Sequence, residues 1–138
     1  MTRTQNEHQA IDFESALAKV GGDRDLLAEL AELFCQERPK MISALERAVA
    51  ERNGPSAHAA AHSLKGSVAV FAAKWAVALA MQLEAFADSG QLASAAELLS
   101  ELKTEIERVC EELRRNLSPE AHQNDGASQP ERDGKELS

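Results

Sequence analysis

Apolar side chains recur along this chain at intervals of three and four, the spacing that places them on one face of an α-helix. Leu26, Leu30, Leu33, Phe34, Met41, Ile42, Leu45 and Val49 form one such stripe, running to about Arg52. Leu92, Ala95, Leu99, Leu102, Ile106, Val109 and Leu113 form another, which ends near Leu117, before Ser118-Pro119. Between them Leu64, Val68, Phe71 and Trp75 share a face, and Trp75, Leu79, Leu83 and Phe86 continue it. A shorter pattern of Ile11, Phe13, Ala16 and Leu17 precedes all of these. No stretch alternates Val, Ile or Thr with polar residues as a half-buried strand would.

Polar and special residues divide these stripes into helices. Asp12 can cap a short helix that reaches about Val20, and Gly21-Gly22 stops it. Asp23 suits the N-cap of the next helix, with Asp25 in a first turn whose dipole favours an anion. Asn53-Gly54 is a turn signal, Pro55 opens a third helix, and Ser89-Gly90 closes a fourth. No such signal separates the third helix from the fourth. A single helix over that stretch would be ~50 Å long, too long for a compact domain of this size. A break is therefore expected near Phe71–Lys74. The pattern predicts an all-α fold, an antiparallel four-helix bundle with a short additional N-terminal helix, over residues 11–117. Residues 1–10 read as a flexible N-terminus, and residues 118–138, almost without apolar content, as a disordered tail.

Composition narrows what such a bundle can do. The 138 residues are 43% hydrophobic, enough for one ordinary core, and no run approaches the ~20 apolar residues of a membrane span. A net charge of −8 argues against nucleic acid, which is recognised by basic patches. The first residues lack the apolar segment of a secretory signal, so the chain reads as a soluble cytoplasmic protein. Cys35 and Cys110 each sit in an apolar helical pattern and are expected as buried, unpaired thiols. Met41 and Met81 read as core filler.

The chemistry lies in His62-Ser63-Leu64-Lys65-Gly66-Ser67. On a helix His62 falls on the face opposite Leu64, Val68 and Phe71, with His58, Ala59, Lys65, Gly66 and Ala69 as its neighbours. The imidazole is thus expected in water, beside one cation and among small residues that leave room for another protein. Imidazole is a good nucleophile near neutral pH, where much of it is unprotonated. A phosphoryl group in transit carries spread negative charge, which Lys65, one turn along, can stabilise. Gly66 costs a helix interior ~1 kcal/mol relative to Ala, so its place there needs a reason, and close approach of a partner supplies one. Ser67 can serve the phosphate or bond back to a backbone carbonyl. His58 and His62 are spaced as metal-binding pairs are, but no convergent Cys or carboxylate completes a metal site in the sequence. No Gly-rich phosphate loop is present, so nothing in the sequence is expected to bind or cleave ATP.

This hexapeptide resembles the signature of histidine phosphotransfer (HPt) domains, the His-bearing relay modules of two-component signalling. Ile11-Asp12-Phe13, Gly21-Gly22-Asp23, Leu30-Ala31-Glu32-Leu33-Phe34 and Pro39 resemble that family's N-terminal half, and Leu83-Glu84 with the Gly90 turn its C-terminal half. The resemblance covers about residues 11–115. It implies that His62 is the phosphoacceptor, Lys65 its electrostatic helper, and Gly66 the gap through which a receiver domain docks. Val70 and Ala72 depart from the Asn and Gly common at those places, which bears on the turn more than on the chemistry.

The implied function is a phosphorelay intermediate with no catalytic turnover of its own. It would take a phosphoryl group from a receiver-domain aspartate or a hybrid histidine kinase and pass it to a response regulator. No cofactor is expected in the chain, Mg²⁺ being supplied by the receiver, and the protein is expected to act as a monomer. A helical adaptor that docks receivers or kinases without carrying phosphate is the competing reading, and a metal-binding bundle using His58 and His62 is a third. The hairpin geometry adds one residue. With a turn centred near residue 73, His62 and Glu84 stand eleven residues to either side, at the same height. Glu84 can then accept Nδ1–H of His62 and leave Nε2 as the nucleophile, and the family resemblance implies a polar partner there too.

Overall fold

The computed structural model describes residues 8–117. It contains α1 (Phe13–Lys19), α2 (Arg24–Ala50), α3 (Gly54–Ala69), α4 (Lys74–Asp88) and α5 (Leu92–Leu117), and no strand among the described residues. Side chains satisfy the free N–H groups at three helix starts. Asp12 accepts from the backbone of Ser15, Asp23 from Leu26, and Asn53 from Ser56, at 3.1, 3.0 and 3.0 Å. Asn53 is thus a cap as well as a turn residue. Gly54 behind it is required by packing, because a Cβ there would stand 2.9 Å from the carbonyl oxygen of Ala87. The start of α3 therefore lies directly against the end of α4.

The four longer helices close a ring in which α2 packs on α3, α3 on α4, α4 on α5, and α5 on α2. Its centre is filled by fully buried Leu27, Leu45, Leu64, Leu83, Leu102, Ile106 and Leu113, with Phe71 against Phe34 at a ring separation of 5.5 Å. Truncating any of these leucines to Ala is expected to cost about 2–5 kcal/mol. The α3–α4 interface is built on a finer scale. Ala57 and Ala61 on one helix and Ala76, Ala80 and Ala87 on the other are buried, so the two backbones approach closely. That close pairing lets short polar side chains reach across it.

The expected break falls at Val70–Ala73, between α3 and α4. Its last residue, Ala73, is the N-cap of α4 and makes no side-chain cap bond, and Ala72 takes a left-handed φ of 53° without being glycine. The turn is instead held from outside. Asp12 donates its backbone N–H to the carbonyl of Ala72 at 3.2 Å, and Lys19 Nζ donates to that of Ala69 at 2.6 Å. α2 (27 residues) exceeds α3 (16 residues) by about 16 Å, and α1 packs against α2.

Several expectations from the pattern are corrected. Trp75 is 38% exposed and packs against His8 with the ring centres 4.9 Å apart and the planes tilted by 36°, because the turn resets the helical phase that would have carried it inward. Ala76 and Ala80 occupy the inner face in its place. Met81 is exposed, as are Leu26 and Leu33, and Phe86 is only half-buried. Residues 8–10, expected to be flexible, are held against α5, and residues 1–7 lie outside the described residues. His8 Nε2 meets Glu105 at 2.7 Å, Arg108 holds the His8 carbonyl, and Glu112 accepts the N–H groups of Ala10 and Ile11 at 2.9 and 3.1 Å. The tail over residues 118–138 lies outside the described residues. Cys35 and Cys110 are buried and unpaired, as expected. No helix among the described residues is long and apolar enough to cross a membrane.

Candidate functional site

His62 stands on the outer face of α3, its side chain 65% exposed. Across the helix pair Glu84 on α4 is buried, and its Oε2 lies 2.7 Å from His62 Nδ1. Its other oxygen, Oε1, accepts a hydrogen bond from Lys65 Nζ at 3.0 Å. Burial alone pushes the Glu84 carboxyl up, but the bonds from the Lys65 ammonium and the His62 ring outweigh it and hold the group below the usual carboxylate range. Glu84 is therefore an anion at neutral pH, and an ionised carboxylate only accepts. Nδ1 of His62 must then carry the proton and donate it. In the neutral ring the lone pair is left on Nε2.

The neighbouring residues divide by face. His58 stacks parallel to His62, the ring centres 6.0 Å apart and the planes 8° from parallel. Its Nδ1 is 2.9 Å from Asp88 on α4. Ala59 and Gly66 are exposed, and a Cβ added to Gly66 would meet nothing within 4 Å. Ala69 is half-buried and belongs to a hollow lined by Ser15, Lys19, Ala72 and Val77, so it lies toward α1. Ser67 Oγ donates to the carbonyl of Ser63 at 3.2 Å, the back-bonded alternative. Its residue also lines a groove between α2 and α3 with Leu30, Leu33, Met41 and Val70. Leu33 is 57% and Val70 37% exposed there, one turn from Gly66.

The structure thus brings together His62, Lys65, Glu84 and His58, and leaves Ser67 and Ala69 to the side. Sequence reasoning missed Asp88. The counting that pairs His62 with Glu84 also pairs His58 with Asp88, each fifteen residues from position 73. It also missed that a carboxylate does converge on the histidine pair, since donor atoms of His58, His62 and Glu84 lie within 4.8 Å of one another. The exposed groove gave no signal, because Leu30 and Leu33 follow the same spacing as core residues.

A helical bundle that displays a stacked histidine pair, fixes the tautomer of one ring with a buried carboxylate and sets a lysine beside it is arranged for chemistry at an exposed imidazole. The family model described as Hpt domain matches residues 29–112, from within α2 to within α5. The chain belongs to that family, and so to phosphorelay signalling of the two-component type. Neither the curated proteins nor the solved structures gave a match.

Proposed function

We propose that this protein is a phosphorelay intermediate in which His62 Nε2 carries the phosphoryl group between receiver domains, or from a hybrid histidine kinase to a response regulator. The observation that carries this reading is the bond between His62 Nδ1 and buried Glu84, which leaves Nε2 unprotonated and facing water. In the forward step the Nε2 lone pair attacks the phosphorus of a receiver's aspartyl phosphate. The N–P bond forms as the P–O bond breaks, and the aspartate carboxylate leaves. The ring gains positive charge while Nδ1 keeps its proton, and Glu84 offsets that charge. Lys65 lies one turn from His62 and bonds the same carboxylate at 3.0 Å, which suits its ammonium to share with the phosphoryl oxygens. The second transfer is the same step reversed, onto another aspartate. Mg²⁺ is assigned to the receiver in both directions.

Other histidines suit the role less well. His8 is largely buried and bonded to Glu105. His58 has a carboxylate partner in Asp88 but is less exposed than His62 and has no lysine one turn along. The partner surface is assigned to Ala59, Gly66 and the apolar groove with Leu33 and Val70, exposed beside the acceptor. The test is transfer from a phosphorylated receiver. Wild type should take up label that is acid-labile and base-stable, whereas His62→Gln should stay folded and take up none. Label retained in the variant would move the acceptor to another of the four histidines, His8, His58 or His122. Binding of the phosphorylated receiver without uptake by wild type would favour the adaptor reading.

A further inference from the structure

The donor set around His62 is that of a borderline divalent metal ion. We propose that His58, His62 and Glu84 form a site for a transition ion such as Zn²⁺, and that the bound ion holds off phosphorylation. The second half rests on the reading of His62 as acceptor; the first does not. Two imidazole nitrogens and one carboxylate oxygen, with a position left open to water, suit Zn²⁺ by donor type and number. The histidines are one helical turn apart with nearly parallel rings, and Glu84 enters from the facing helix. All three donor atoms lie within 4.8 Å of one another. Tetrahedral zinc with bonds of about 2.0–2.2 Å needs donors about 3.3 Å apart. His62 Nδ1 and Glu84 Oε2, at 2.7 Å, must open slightly, while donors as far as 4.8 Å apart must close by up to about 1.5 Å. Both histidines are exposed enough to rotate.

A further feature supports the assignment. Asp88 lies 2.9 Å from His58 Nδ1, within ion-pair range but outside hydrogen-bond geometry, so a small turn of the ring is needed before the carboxylate can orient it as such groups orient metal-binding histidines. Lys65 works against the ion, because its ammonium is 3.0 Å from Glu84 Oε1. Affinity on the order of 10 µM is therefore expected, below that of closed structural zinc sites. The ion displaces the proton that Nδ1 shares with Glu84, which passes to solvent. A ring bound to a dication is a weaker nucleophile at its other nitrogen, and an ion that instead takes Nε2 blocks attack outright. Metal and phosphoryl group thus compete for one imidazole.

Zinc titration of the full chain by calorimetry, with imidazole ¹H–¹⁵N spectra, tests the site. One equivalent should bind, His58 and His62 should shift together, and His58→Gln should weaken binding at least tenfold. Lys65→Met should tighten it at least threefold. Labelling by phosphoramidate, a small donor that needs no receiver, tests the consequence. Zinc at 100 µM should slow labelling of wild type about tenfold, reversibly with EDTA, and should slow His58→Gln far less relative to its own zinc-free rate. Binding only at millimolar zinc, an adventitious ion only, would overturn the proposal. So would one-equivalent binding indifferent to His58→Gln, or an unchanged labelling rate at saturation. Failure of wild type to label in EDTA would instead defeat the acceptor reading, and the calorimetry would still judge the metal site.

Discussion

Gly66 separates what the fold needs from what the function needs. Its φ is not among the positive values of the chain, and a Cβ added there meets no atom within 4 Å. Nothing in the folded protein therefore requires glycine at this place. Within a helix interior, Gly→Ala is worth ~1 kcal/mol, part of it from a less disordered unfolded chain. Gly66→Ala should accordingly stabilise the domain by about 1 kcal/mol, which raises Tm by about 4 °C or more for a domain of this length. Arginine is nearly as good a helix former, so Gly66→Arg should also be more stable than wild type. Its side chain, however, projects from the face beside His62. Transfer from a phosphorylated receiver should then fall roughly 100-fold, the scale of an unpaired charge forced into an interface. Thermal melts give the first quantity and stopped-time label transfer the second. Phosphoramidate labelling of Gly66→Arg should be unaffected, which assigns the loss to docking. A destabilised Gly66→Ala, or a Gly66→Arg that accepts phosphate from the receiver at the wild-type rate, would refute the reasoning.

Other expectations follow from the same contacts. Glu84→Gln should cost about 1.5 kcal/mol at pH 7, because it removes two charge-assisted bonds and leaves the Lys65 ammonium unpaired. Since folding lowers the Glu84 pKa from 4.5, that stability is present above 4.5 and is lost as pH falls below it, so denaturation curves of variant and wild type should converge in acid. The same variant should slow transfer about tenfold and lower the Nδ1–H fraction of His62 seen by NMR; no change in either would reduce Glu84 to a buried structural partner of Lys65. Lys65→Ala should slow the transfer step about tenfold or more while receiver affinity changes little, and equal losses would point to a binding role. Arg52, exposed at the end of α2 with φ 56°, strains a position suited to glycine, and Arg52→Gly should stabilise by about 0.5–1 kcal/mol in denaturant melts.

Most of the helical frame is legible in the chain because local chemistry sets it. Asp12, Asp23 and Asn53 begin helices, and Gly21, Gly22 and Gly90 take the left-handed conformations that follow helix ends. The α3–α4 turn is different. Ala72 and Ala73 carry no local signal, and Asp12 and Lys19 hold the turn from far along the chain, so only the length argument finds it. That argument also locates Glu84, since an antiparallel hairpin converts distance from the turn into height. Trp75, Leu33 and Met81 were misplaced because periodicity assigns a face, and burial depends on what packs against it. The docking of His8–Ile11 onto Glu105, Arg108 and Glu112 joins residues about a hundred positions apart, and nothing in either segment announces the other.

The central claim is that the phosphoryl group sits on Nε2 of His62, with Nδ1–H held by Glu84. Imidazole ¹H–¹⁵N correlation spectra of the ¹⁵N-labelled chain, taken before and after phosphorylation, test it most directly. The account predicts one new phosphorus-coupled nitrogen, Nε2 of His62, while Nδ1 keeps its proton and the His8 spectrum is unchanged. Phosphorus coupled to Nδ1 of His62, or to either nitrogen of His8, His58 or His122, would contradict it.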